Sequence, residues 1–222
     1  MTQFRPKYIT FDCYGTLTWF QMSRIAKEMY ADRVPEGAID RFVQDFNSYR
    51  YDEILGDWKP YKQVIMNAVR RTCALWDVEY LESEAEFYYN DIPNWGPHPD
   101  VAEPLARVAE HYPLVILSNA SDDQIQSNVD KLGAPFHAVY TAQQAQAYKP
   151  RFQAFEYMLD QLGCGPEDLL HVSASLRYDL QSAYYMHIDN KVYVNRGYEP
   201  SNPAFGYHEI PDIGGLPGVL GL

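Results

Sequence analysis

Five short β-favouring runs separated by segments of helical period constrain this 222-residue chain more than any other feature. Residues 7–12 form the first run and end in Asp12. Residues 114–118, 138–140, 169–173 and 191–194 form the others, with helices expected over 122–132, 151–162 and 179–186 between them. Strand and helix alternating in this order predict an α/β fold, a Rossmann-like parallel sheet with helices on both faces. The alternation is interrupted only once. Between the first run and the second, apolar residues recur at three-and-four spacing, as in Phe42, Phe46 and Tyr49 and then Val64, Ile65, Ala68 and Val69. This predicts an inserted helical domain over residues 18–95, large enough to bury a small core, with the α/β core formed by residues 1–17 and 96–222. Asp100 is expected to cap the helix that runs to His111. The Gly- and Pro-rich residues 197–222 read as an irregular tail.

Charge and cysteine usage narrow the class. With 18 Lys and Arg against 30 Asp and Glu, the net charge is −12, which argues against a broad basic surface for nucleic acid or an anionic membrane. A small anionic substrate would need a local positive site. Cys13, Cys73 and Cys164 show no pairing or metal-ligand spacing, and no apolar run reaches membrane-span length. Together with an N-terminus lacking a signal-peptide pattern, this predicts a cytoplasmic protein. The six histidines show no ligand spacing and are given no role.

In open parallel sheets, functional groups gather at the carboxyl ends of the strands. Those ends carry Asp12, then Ser118-Asn119, then Lys149-Pro150 in a pre-helix loop, and finally Ser173 and Asp179. Carboxylate, hydroxyl, amide and ammonium therefore converge on one edge. Taken singly, each has a structural use, such as helix capping by Ser118 and Asn119 or surface exposure of Arg41 and Arg50.

The motifs Phe-Asp12-Cys-Tyr14-Gly15-Thr16-Leu17, Leu-Ser118-Asn119-Ala, Tyr-Lys149-Pro150 and the strand leading to Asp179 resemble, in order, the four motifs of the haloacid dehalogenase superfamily. The helical insertion is similar to that family's cap. Most members are magnesium phosphohydrolases with a second Asp two residues after the first. Here that position is Tyr14, and Ser173 stands where phosphatases place an acid, so the pattern resembles the metal-free L-2-haloacid dehalogenase branch. The resemblance implies no cofactor or metal, a small carboxylate substrate, and the homodimer common in that branch.

By this resemblance Asp12 is a nucleophile that forms an ester at the α-carbon of an (S)-2-haloacid, and Lys149 keeps it ionised. Thr16 and Ser173 are expected to hydrogen-bond around that pair, and Asp179 to place or activate water. Ser118 would bind the substrate carboxylate, Asn119 the departing halide, and Tyr14 would wall the pocket. Arg41 and Arg50 are the candidates for a cap arginine at the leaving group. The branch has Asn where this chain has Ser175, and Asp179 falls one residue later than the pattern. Arg177 is an extra cation beside the site, assigned with Ser175 to substrate contact. Three other readings stay open: opening of a strained ring beside a carboxylate, magnesium-dependent phosphate hydrolysis, and non-catalytic binding of a small anion.

Overall fold

The structure, a computed structural model, describes residues 5–222. The chain divides into two compact units, one running to Trp19 and resuming over Gly96–Leu222, the other spanning Phe20–Trp95. The second unit is helical: α1 (Met22–Tyr30), α2 (Ile39–Leu55), α3 (Tyr61–Leu75) and α4 (Glu82–Asp91). Its apolar periodicity is used as a core, with Phe42, Phe46, Val64, Ile65 and Ala68 buried. Aromatic pairs reinforce it, Tyr30 against Phe42 at 4.7 Å and Phe46 against Tyr88 at 5.1 Å between ring centroids.

The first unit contains a six-stranded sheet whose recorded pairings are all parallel, in the order β3-β2-β1-β4-β5-β6. The strands are β1 (Tyr8–Phe11), β2 (Leu114–Ser118), β3 (Ala138–Thr141), β4 (Leu169–Ser173), β5 (Asn190–Val194) and β6 (His208–Ile210). Around them lie α5 (Ala102–Ala109), α6 (Asp122–Val129), α7 (Ala142–Ala145), α8 (Phe152–Leu162), α9 (Gln181–Tyr185) and α10 (Leu216–Leu220). Side chains alternate across the sheet. Ile9, Phe11, Ile116 and Val172 enter the core that includes Leu105 and Ile125 of α5 and α6. Val115, Leu117 and Leu169 pack with Phe155 and Met158 of α8 on the other face.

Two sequence expectations are corrected. The tail is not irregular throughout: β6 adds a sixth strand in register Val192↔His208 to Val194↔Ile210. Only Ile210 of β6 is buried, so its strand character comes from pairing and leaves no apolar pattern to read. Asp100 does not cap α5, whose N-cap is Val101 without a side-chain cap. Its carboxylate serves Arg196 and the Ile213 amide instead.

Candidate active site

The strand order places β1 between β2 and β4, at the point where the crossovers diverge and a crevice opens beyond the carboxyl ends. Asp12 is the first residue after β1, and its amide still donates to Val172 O of β4 at 3.1 Å. The chain then turns sharply. Gly15 has φ of +92°, in the left-handed region where a side chain is strained, and its amide closes the turn on Thr18 O. This turn brings Thr16 back to Asp12. The Thr16 hydroxyl donates to Asp12 Oδ2 at 2.7 Å and accepts from the Ala174 amide at 2.9 Å.

Lys149 is 1% exposed, and its three ammonium protons meet three acceptors: Asp12 Oδ1 at 2.9 Å, Leu117 O at 2.8 Å and Asp179 Oδ1 at 2.7 Å. Its direction is thereby set. Asn119 clamps the lysine's own backbone, its Nδ2 donating to Lys149 O at 2.9 Å and its Oδ1 accepting from Lys149 N at 2.7 Å. The amide expected to meet a leaving group is thus engaged in holding Lys149.

Asp179 reaches the cluster despite its late position in the sequence. Residues Leu176–Leu180 form a π-helical turn, with Leu180 N donating to Ser175 O. One extra residue per turn absorbs the one-residue insertion, so the carboxylate still arrives beside Lys149. Ser175 starts this turn by accepting from the Tyr178 amide at 3.2 Å, and its hydroxyl donates to Glu199 at 3.1 Å.

Burial lifts the Asp12 carboxyl above the ordinary carboxylate range; Lys149 opposes that rise and Asp179 adds to it. The net direction is opposite to the lowering expected from Lys149. The reason is that one ammonium is shared by two carboxylates in a dry site. At Asp179 burial also raises, but Lys149 and His171 outweigh it and hold this carboxyl low. Burial acts against the Lys149 charge, yet its two carboxylate neighbours keep the ammonium above the usual lysine value. Beside the nucleophile candidate, burial pushes the Cys13 thiol up to about 12, in keeping with a packed filler.

Other expected residues fall elsewhere. The Ser173 hydroxyl accepts from the Ser175 amide at 3.0 Å; it supports the π turn, and no bond to Asp12 or Lys149 is recorded for it. Arg177 is half exposed and ion-pairs with Glu199 at 3.3 Å. Arg41 is an exposed α2 residue paired with Asp45 at 3.3 Å. Arg50 is buried within the helical unit, its guanidinium 4.7 Å from the Phe20 ring centroid. Tyr14 is half-buried and donates to Asn128 Oδ1 at 2.8 Å. The Ser118 hydroxyl, at the end of β2, is buried and makes no hydrogen bond to the described residues. A surface cleft along Gln126, Asp130, Phe136 and His137 contains none of these strand-end groups.

Three residues were missed. His171 bonds Asp179 Oδ1 through Nε2 at 3.1 Å. His98 stacks on Trp19 at 4.0 Å and bonds the Gly15 backbone; burial, with Arg196 nearby, holds it neutral at about 4. Arg196 donates twice to Thr16 O, at 3.0 and 2.9 Å, and twice to Asp100, at 3.0 and 2.8 Å. An Arg-Gly pair just after a strand was the available signal, but its partners lie 96 and 180 positions away.

Burial raises the Asp100 pKa, but Arg196 and the Ile213 amide outweigh it and hold the carboxyl low. Its stabilisation is therefore present above the unfolded value and lost as pH falls through the folded one. Arg196→Gln should cost about 1–3 kcal/mol near neutrality, measured by urea unfolding, with the gap to the parent narrowing below roughly pH 4.

A doubly wound parallel sheet with a carboxylate–ammonium–carboxylate cluster at its switch point defines an α/β protein with an active-site-like strand edge. The family model for haloacid dehalogenase-like hydrolases matches residues 6–186, and the chain belongs to that family. It is 28% identical over 151 residues to (S)-2-haloacid dehalogenase 4A of Burkholderia cepacia, covering 66% of this chain and 63% of that protein. Identity to the (S)-2-haloacid dehalogenase of Xanthobacter autotrophicus is 26% over 178 residues, covering 76% and 68%. The fold is similar to a solved structure of L-2-haloacid dehalogenase from Xanthobacter autotrophicus with chloropropionic acid covalently bound. The TM-score is 0.77 at 21% identity, with 97% and 98% of the two chains covered.

Proposed function

We propose that this protein is a metal-independent hydrolase that converts short (S)-2-haloacids to 2-hydroxy acids through an ester on Asp12. The observation that carries this reading is the Lys149 ammonium bridging the two buried carboxylates, 2.9 Å from Asp12 and 2.7 Å from Asp179. In phosphohydrolases of this family a magnesium ion needs carboxylate oxygens turned toward it. Here the facing Oδ1 atoms are both turned to an ammonium, and no group of three His, Cys, Asp or Glu side chains suited to a metal occurs among the described residues. This arrangement supports a reading in which the ammonium, in place of a metal ion, meets the two carboxylates. The names of the two dehalogenase relatives, and the covalently bound chloropropionic acid of the structural neighbour, support the same reading.

Asp12 presents a carboxylate with one oxygen held by Thr16 and the other by Lys149, which leaves lone pairs on both for attack. An Asp12 oxygen bonds to C2 from the face opposite the halogen. The carbon–halogen pair departs as halide and C2 inverts. Water then adds to the Asp12 carbonyl carbon, the ester C–O bond at that carbon breaks, and 2-hydroxy acid leaves while the water oxygen stays in Asp12. The net change is haloacid plus water to hydroxy acid, halide and a proton. We assign Asp179 first to anchoring Lys149 through Oδ1, which Lys149 and His171 both engage, while its buried Oδ2, without a partner among the described residues, is the oxygen suited to placing water. The free hydroxyl of Ser118 is suited to the substrate carboxylate. Arg177, whose extra charge motivated a ring-opening alternative, ion-pairs with Glu199 on the surface.

The test is a substrate panel of chloro-, bromo- and fluoroacetate, both enantiomers of 2-chloropropionate, a strained-ring carboxylate and a phosphomonoester, each with and without excess chelator. Halide release from the (S)-acids, unchanged by chelator, is the expected result. Phosphate release that requires added magnesium would overturn it.

A further inference from the structure

The sheet face against α8 is apolar at Val115, Leu117 and Leu169, yet β1 and β4 place a hydroxyl and an imidazole directly opposite each other there, Thr10↔His171. Both are fully buried. An aliphatic pair would fill this position without desolvating polar atoms, so the polar pair is retained against a cost unless each atom is bonded. Each ring nitrogen is bonded. Thr10 Oγ1 lies 2.8 Å from Nδ1, and Asp179 Oδ1 lies 3.1 Å from Nε2, while Phe155 closes the ring edge at 5.4 Å between centroids. Lys191, opposite His171 on β5, turns its ammonium to Ile188 O and Asp189 O.

The protons can be assigned from the partners. An ionised carboxylate only accepts, so Nε2 carries a proton toward Asp179. The other acceptor recorded for the Thr10 hydroxyl is Leu170 O at 3.5 Å, too long to compete, so Thr10 donates to Nδ1. The tautomer that satisfies both contacts carries its proton on Nε2.

We propose that His171, held by Thr10 as the Nε2–H tautomer, is a positioning residue whose donation to Asp179 Oδ1 aims that carboxylate at Lys149 and so aims Lys149 at Asp12. The hydrogen bonds then form a closed circuit: Thr10 on β1, His171 on β4, Asp179 on the π turn, Lys149 on its loop, and Asp12 two residues after Thr10. Closure gives it a function beyond core filling. Without the His171 donor, Asp179 Oδ1 keeps only Lys149 and the carboxylate is freed to rotate, which releases the direction of the ammonium. The inference rests on the reading of Asp12 as nucleophile, since orientation of Asp12 matters to rate only if it attacks.

The experiment compares His171→Leu, His171→Gln and Thr10→Val in the full chain with a turned-over haloacid, alongside a 15N–1H spectrum of histidine-labelled parent protein. His171→Leu should lose kcat on the order of 10- to 100-fold with KM little changed, the scale at which outer-shell hydrogen-bond partners act. His171→Gln, which retains an N–H at the Nε2 place, should recover most of the loss. The spectrum should show His171 protonated at Nε2 alone in the parent, and Thr10→Val should shift the Nδ1 resonance by removing its hydrogen-bond donor while Nε2 keeps its proton toward Asp179. A folded His171→Leu with parental kcat, or His171→Gln as impaired as His171→Leu, would overturn the proposal. So would a His171 ring protonated at Nδ1. If His171→Leu does not fold, His171→Gln and the spectrum decide. If no haloacid is turned over, the dehalogenase reading fails on its own, and the tautomer spectrum of the substrate-free protein still decides whether Thr10 and Asp179 hold the ring as inferred.

Discussion

Asp12→Asn should lose turnover by a factor on the order of 10^4 or more, while the protein stays folded and gains stability. The first effect follows from chemistry: a carboxamide does not attack a saturated carbon, and removal of a covalent nucleophile is among the largest single losses known for enzymes. The second follows from charge. Asp12, Lys149 and Asp179 together carry two buried negative charges against one positive. Replacing Asp12 by the neutral amide leaves one pair, Lys149 with Asp179, which is balanced. A gain of about 0.5–2 kcal/mol is expected, the usual sign when strain at a reactive site is relieved. Chemical denaturation measures it. In the parent, the proposed mechanism requires that a single turnover in 18O-water leave heavy oxygen in the Asp12 peptide, since water would attack the carboxyl carbon of the enzyme ester and not C2. Product formed with label only in the hydroxy acid would exclude the ester.

Lys149→Met should be damaging in both respects. It leaves Asp12 and Asp179 in a dry site with no cation, and breaking a buried ion pair from one side costs about 3–5 kcal/mol at neutral pH. The sign with pH is definite. Burial already lifts Asp12 and Lys149 opposes it, so loss of the ammonium raises Asp12 further and raises Asp179 with it. Both carboxyls then take up protons at higher pH, and the instability should lessen as pH falls from 7 toward 5. Urea midpoints at those two pH values check this. Residual kcat/KM should fall on the order of 10^2- to 10^3-fold, as for loss of a preorganised electrostatic partner, and its acid limb should move to higher pH than in the parent. An acid limb that stays in place would mean that Lys149 does not set the ionisation of Asp12.

Much of this cluster was legible in the chain because its parts are short-range in sequence and ordered by topology. Asp12 and Thr16 lie within one strand-end turn, and Lys149 and Asp179 follow other elements of a recognisable alternation. Three things were not legible. His171 sits inside a buried strand, where a histidine reads as one more core residue, and its hydroxyl partner Thr10 is 161 positions away. The displaced spacing of Asp179 looked like an obstacle until the π turn accommodated it. The grip of Arg196 on Thr16 depends on the end of β5 lying beside the Asp12 loop, which local pattern does not encode.

Hydrophobic periodicity and residue type therefore determined the class of fold, the helical insertion and the identities of the central carboxylate and ammonium. These are properties of a few neighbouring residues, and the hydrophobic effect reads them segment by segment. Tertiary structure alone decided how the charges are shared. It gave one ammonium to two carboxylates, turned Asn119 and Asp179 to holding Lys149, and sent Arg177 to Glu199. Ionisation and orientation depend on distances of a few ångströms between atoms far apart in the chain, and on how much water reaches them, and both are settled only when the sheet has assembled.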